Sequence, residues 1–171
     1  MAVSGQDIVK SARKLLEAPY RFWGAFDPLP MWLNDVDEEG NWVGNPPPAD
    51  YLVNGPGVMC ADLVSWAMMD NDLLTVYGTA AFESFLEHTQ DFVPEDPGQP
   101  GAIAYDPYIS PVEGQQGHIA IYVDEHYLIQ ALTFNGTTSP GVTDEYDDIT
   151  TYNWGGDTRF TRYGFLPGVD Y

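Results

Sequence analysis

Three polar residues in apolar company have the types and order for nucleophilic catalysis: Cys60, His118 and Gln130. Cys60, the single cysteine, stands in "GVMCADLVSWAM" (57–68), where a glycine-bearing loop gives way to a helix-forming run. Unpaired N–H groups and the macrodipole at a helix N-terminus favour negative charge, an environment that lowers a thiol pKa. Such a nucleophile needs a base, usually histidine, and a third group to orient it. His118 opens an apolar strand after Gly117, and Gln130 is the one polar residue of "YLIQAL" (127–132). A hairpin with loop 124–126 pairs Val123 with Tyr127 and sets Ala120 opposite Gln130. His118 then lies diagonal to Gln130 on the same sheet face, within reach of a longer side chain. In that register the Gln130 amide oxygen accepts from one ring nitrogen of His118 and leaves the other to face Cys60. Taken singly, Cys60 also reads as a buried structural thiol and His118 as a strand-end histidine without a role. His88, at a helix end, and His126, in a turn, read as solvated surface groups.

The elements that must position these residues follow from local pattern. Ser4-Gly5-Gln6-Asp7 is a Ser-x-x-acid helix start, followed by Ile8, Val9, Ala12, Leu15 and Leu16 at helical spacing up to Pro19. Residues 27–57 form a long Pro- and Trp-rich insert, read as an ordered, irregular excursion packed on the domain. A second helix is expected over about 59–70, with Leu63, Val64, Trp66 and Ala67 as its buried face. A third is expected over about 79–87, with Phe82, Phe85 and Leu86 inward. Proline residues 94, 97 and 100 mark a linker, after which strands are expected at 102–105, 118–123, 127–132 and 159–166. Helices first and strands second predict an α+β domain with N-terminal helices packed on a central antiparallel sheet, in a single unit spanning 1–171.

Bulk properties narrow the function. Six basic residues against 26 acidic ones give a net charge of −20. Such a surface repels phosphate backbones and anionic membrane surfaces, so no nucleic-acid partner is expected. One cysteine forms no internal disulfide. No apolar stretch approaches a membrane span, and no basic segment followed by an apolar run marks a signal peptide. No metal site or cofactor is expected: the histidines are scattered, and Asp144, Glu145, Asp147 and Asp148 lack EF-hand spacing and read as a solvated acidic loop.

Four segments in order resemble the NlpC-type cell-wall peptidases, which have a circularly permuted papain-like fold. "APYRFWGA" (18–25) is similar to the family's Pro-Tyr-x-Trp/Tyr-Gly-Gly segment, and "GVMCADLVSW" to its Asp-Cys-Ser-Gly-Leu-Val segment. "QPGAIAYDP" is similar to Pro-Gly-Asp-Leu-Val-Phe. "GHIAIYVDEHYLIQA" is similar to Gly-His-Val-Gly-Ile-Tyr followed by Met-Ile-His-Ala. The resemblance implies Cys60 as nucleophile, His118 as general base and then acid, Gln130 as the third polar group and Tyr20 as a residue lining the site. The Cys60 N–H is the oxyanion donor under that reading. The implied reaction is hydrolysis of an amide in peptidoglycan stem peptides, through an acyl-enzyme.

Met59 and Ala61 replace the aspartate and serine that help the family hold a free substrate amine, and Ala102 replaces the aspartate of the Pro-Gly-Asp strand. Asp62 is a candidate for the amine contact; the alternative is a first-turn acidic residue favoured by the helix dipole. Trp23, with Trp32 and Trp42, is a candidate to line a saccharide or peptide groove, with core packing as the alternative. With no export signal, the resemblance points to the peptidase domain of a phage endolysin, similar to those of phages of actinobacteria. Such a protein is monomeric, made in the host cytoplasm and brought to the wall by holin-type release. The alternatives are an N-acetylmuramoyl-L-alanine amidase of the CHAP kind, a phage tail-associated wall hydrolase, and a non-catalytic wall-binding or tail-structural module.

Overall fold

The computed structural model describes residues 2–20, 35–36, 38, 42–43, 46–55, 57–76, 78–91, 99–106, 117–124, 127–134, 138–146, 151–153 and 157–171. Among these, four helices precede or flank a six-stranded antiparallel sheet, so the class is α+β as expected. The helices are α1 (Gly5–Arg13), α2 (Ala49–Val53), α3 (Cys60–Met69) and α4 (Thr79–Phe85). The sheet is built from β4 (Glu87–Asp91), β5 (Ile103–Asp106), β6 (His118–Tyr122), β7 (Tyr127–Phe134), β8 (Thr138–Tyr146) and β11 (Arg162–Phe165), in the order β4-β11-β5-β6-β7-β8. Three small ladders complete it. They join β1 (Val3–Ser4) with β12 (Val169–Asp170), β2 (Asp35–Val36) with β3 (Trp42–Val43), and β9 (Thr151–Asn153) with β10 (Asp157–Arg159). No helix among the described residues is long and apolar enough to cross a membrane.

The Ser-x-x-acid start forms a capping box. The Asp7 N–H donates to Ser4 Oγ, and the Ser4 N–H donates to Asp7 Oδ2 at 2.9 Å. Helix α1 ends at Arg13 rather than running on to Pro19. Glu17 and Ala18 instead exchange backbone hydrogen bonds with Val142, which ties the segment after α1 to β8. Helix α3 is buried from Ala61 to Met69 on all sides, not on one face. It packs on α1 and on β6 and β7, while the Trp66 indole N–H donates to Pro47 O at 2.9 Å. The excursion at 27–57 is therefore not wholly irregular: it contains β2, β3 and α2, and its end packs on α3.

The strands sort by alternation. Ile103, Tyr105, Ile119, Ile121, Ile129 and Ala131 face the helices and share a core with Ile8, Leu15, Leu63, Val64 and Met68. Ala102, Ala104, Ala120, Tyr122, Leu128 and Phe160 form a smaller core on the opposite face. Removing a side chain the size of Leu63 from water contributes about 2 kcal/mol, so the larger cluster holds α3 against the sheet.

Several expectations are corrected. Helix α4 stops at Phe85, and Glu87 and His88 lie on strand β4, so His88 caps no helix. The expected strand at 159–166 is split, with Arg159 in β10 and the sheet strand beginning at Arg162. Strand β8 falls where no strand was expected, and it takes in Asp144 and Glu145, read above as loop. His126, Asp147, Asp148 and Trp32 lie outside the described residues.

Candidate active site

The hairpin register is the one the sequence predicts. Ile121 pairs with Ile129 and Tyr122 with Leu128, and the Val123 N–H donates to Tyr127 O at 2.9 Å. Extending that register sets Ala120 opposite Gln130, and His118 Nε2 lies 2.7 Å from Gln130 Oε1 in a buried hydrogen bond. An amide oxygen only accepts, so Nε2 carries the proton and Nδ1 holds the lone pair. Phe160 stacks on the imidazole, 5.5 Å between centroids at 25°. Burial pushes His118 down to about 4, so the ring is neutral at ordinary pH; the Gln130 bond and the Asp106 charge oppose the shift.

Cys60 is the first residue of α3 and is partly exposed. The Val123 N–H points at β7, and two and four residues back the Ile121 and Ile119 N–H groups point the same way. The Ile119 N–H acts on the Cys60 sulfur and favours its ionised form. The sulfur thus lies near the backbone of Ile119, the residue after His118. Thr79, at the start of α4, brings its hydroxyl to 3.8 Å from Sγ.

The thiol itself contradicts the expectation of a lowered pKa: it is pushed up to about 11. Burial is the main cause and the neighbouring Asp62 charge adds to it. The Thr79 hydroxyl and the Ala61 and Ile119 N–H groups oppose it without prevailing. The resting pair is a neutral thiol and a neutral imidazole.

Asp62 is 3% exposed, and its observed contact is a cap: Oδ2 accepts the Met59 N–H at 2.9 Å. Oδ1 is buried with no hydrogen-bond partner among the described residues. Burial raises the carboxyl to about 7. Tyr20 bridges Val58 in parallel, and the Val58 N–H donates to Pro19 O at 2.9 Å, which sets Tyr20 beside the segment that enters α3. Trp23 lies outside the described residues. Sequence reading did not single out Asp106, Thr79 or Phe160. The signal for Asp106 was an acidic residue ending the apolar run "AIAYD", and for Thr79 a helix start behind Gly78. No group of three or more metal-ligating side chains occurs among the described residues.

Two predictions follow from these contacts. Asp62 binds its proton more tightly in the native state, so its contribution is present below about pH 4 and lost as pH rises through about 7. His118 acts with the opposite sign, since its contribution is lost as pH falls from about 6.5 to about 4. The two slopes offset each other in wild type. Asp62→Asn removes one of them. Urea titrations of the variant are expected to show stability rising by about 3 kcal/mol between pH 4 and 6.5, and a variant more stable than wild type at pH 8. A variant as flat as wild type would refute the assignment. Gln130→Ala removes the His118–Gln130 hydrogen bond, which favours the charged ring, so the His118 midpoint is expected to fall further when followed by nitrogen-15 NMR.

No family model, curated protein or solved structure matches this chain.

Proposed function

We propose that the protein is a cysteine peptidase of the circularly permuted papain-like kind that cuts an amide bond in peptidoglycan stem peptides, and that it serves as a phage endolysin. The observation that carries this reading is the buried 2.7 Å bond between His118 Nε2 and Gln130 Oε1, together with a helix-start cysteine on which the N–H of Ile119, the residue following His118, acts. In this mechanism Cys60 Sγ attacks the amide carbon while its proton passes to His118 Nδ1. The oxyanion meets the Cys60 N–H, one of the first-turn donors that lack an intrahelical partner. His118 then protonates the leaving nitrogen as the C–N bond breaks. Water, deprotonated by His118, attacks the thioester, releasing the carboxylate and restoring the thiol.

Because thiol and imidazole are both neutral at rest, His118 works as a general base during attack rather than as half of a preformed ion pair. In this reading the protein is made in a host cytoplasm and reaches the wall through a holin. A tail-associated wall hydrolase uses the same residues. One observation favours a second reading, a structural module with an inert thiol: Cys60 is raised to about 11.

The test is mass spectrometry of soluble fragments released from purified actinobacterial peptidoglycan. New termini within the stem peptide are expected. A cut between sugar and first alanine would make the protein an amidase, and no release, with iodoacetamide-resistant Cys60, would favour the structural module.

A further inference from the structure

The neutral third group poses a problem that the fold answers elsewhere. When His118 takes the thiol proton it becomes a cation 4% exposed to solvent, and Gln130 orients it without offering a charge. A buried cation is costly unless an opposite charge faces it. Asp106, the last residue of β5, sits directly opposite His118 in the β5–β6 ladder. Directly opposed residues point to the same face with Cβ atoms about 5 Å apart, so carboxylate and imidazole share one side of the sheet. Asp106 is 1% exposed, and the Thr161 hydroxyl donates to its Oδ1 at 3.0 Å, which holds the carboxylate in place.

Two uncharged side chains among the described residues contact the imidazole: Gln130 from β7 and Phe160 from the strand approach to β11. Asp62 acts on the sulfur rather than on the ring. We infer that Asp106 is a positioning residue for His118, supplying the negative charge that stabilises its protonated form while Gln130 fixes its orientation. The direction of Asp106's influence on the His118 pKa agrees with this. The division of labour rests on the reading of His118 as the base, but the charge coupling stands on the ladder alone.

The closing experiment separates the two. The His118 imidazole is titrated by nitrogen-15 NMR in wild type, Asp106→Asn and Asp106→Glu, alongside kcat/KM on a stem-peptide substrate. Asn keeps the shape and the acceptor for Thr161 but removes the charge. Its His118 midpoint is expected to fall by about 1 pH unit or more below that of wild type, with kcat/KM about tenfold lower; Glu restores both in part. Asp106→Ser, smaller and equally uncharged, reports the same coupling if the Asn variant does not fold. An unchanged midpoint in a folded, uncharged variant overturns the inference. A lowered midpoint in a protein that cuts no wall upholds the coupling and overturns the peptidase reading instead.

Discussion

Cys60→Ala is expected to lower stem-peptide hydrolysis by about 10⁴-fold or more while leaving the fold in place, and His118→Ala to do nearly the same. Cys60 is partly buried against the core and Ala lacks only its sulfur atom, so the melting temperature is expected to move by no more than about 3 °C. The two residues act as one unit, so the double variant is expected to be no slower than either single one.

The pH profile carries a sign of its own. The reacting form is neutral imidazole with protonated thiol, so kcat/KM rises as His118 loses its proton near pH 4 and holds until the thiol ionises near 11. A preformed ion pair would instead need a thiol that ionises below the imidazole, and its activity would collapse above neutrality. Steady-state kinetics between pH 4 and 10 decide between the two. Full activity in Cys60→Ala removes the mechanism altogether.

The elements that hold this site were legible where hydrophobic period and turn chemistry agree. Ser4 and Asp7 announce α1, the apolar run after Cys60 announces α3, and the alternation of 118–123 against 127–132 fixes a register from which the His118–Gln130 contact follows. Strand β8 was not legible because Pro140, Gly141, Asp144 and Glu145 are poor strand formers. Its order comes from its partners: the preceding strand β7 along most of its length on one side and, distant in sequence, the backbone of Glu17 and Ala18 on the other. Strand β4 was hidden in the same way, since "EHTQD" continues a helical sequence without a breaker, and only its pairing with β11 makes it extended.

The electrostatics of the site were less legible than its geometry. The helix start at Cys60 argues for a low thiol pKa, and the helix is there, but desolvation and the Asp62 charge outweigh it. No local pattern reports how tightly a residue is enclosed, because α4, β6 and β7 converge on Cys60 from positions 19 to about 70 residues away. Asp106 shows the same limit. Its relation to His118 is a cross-strand pairing between β5 and β6, and nothing in "AIAYD" alone singles out that carboxylate.

Gly101→Ala is expected to be strongly destabilising, lowering stability by about 3–4 kcal/mol. Gly101 has φ +82, a conformation that strains any residue bearing a Cβ by about 1–2 kcal/mol. The added methyl would also lie 2.6 Å from both the Cα and the carbonyl oxygen of Gly5, the first residue of α1. These are backbone atoms, and they do not swing aside as a flexible side chain does. Gly5 is pinned in turn, since a Cβ there would meet Pro100 O at 1.8 Å. The Gly101 N–H donates to Tyr122 O at 2.8 Å, and its carbonyl accepts the Tyr171 hydroxyl at 3.0 Å. One turn thus joins the start of α1, the end of β6 and Tyr171. Relief of the clash must move at least one of them. A chain of this length loses about 2–4 °C per kcal/mol, so thermal melts are expected to fall by about 10 °C. The turn touches neither Cys60 nor Gln130, so kcat below the lowered transition is expected to match wild type. A melting temperature within about 2 °C of wild type would mean that α1 and the turn slide apart freely, and that the close approach of Gly5 to Gly101 does not hold the two halves of the chain together.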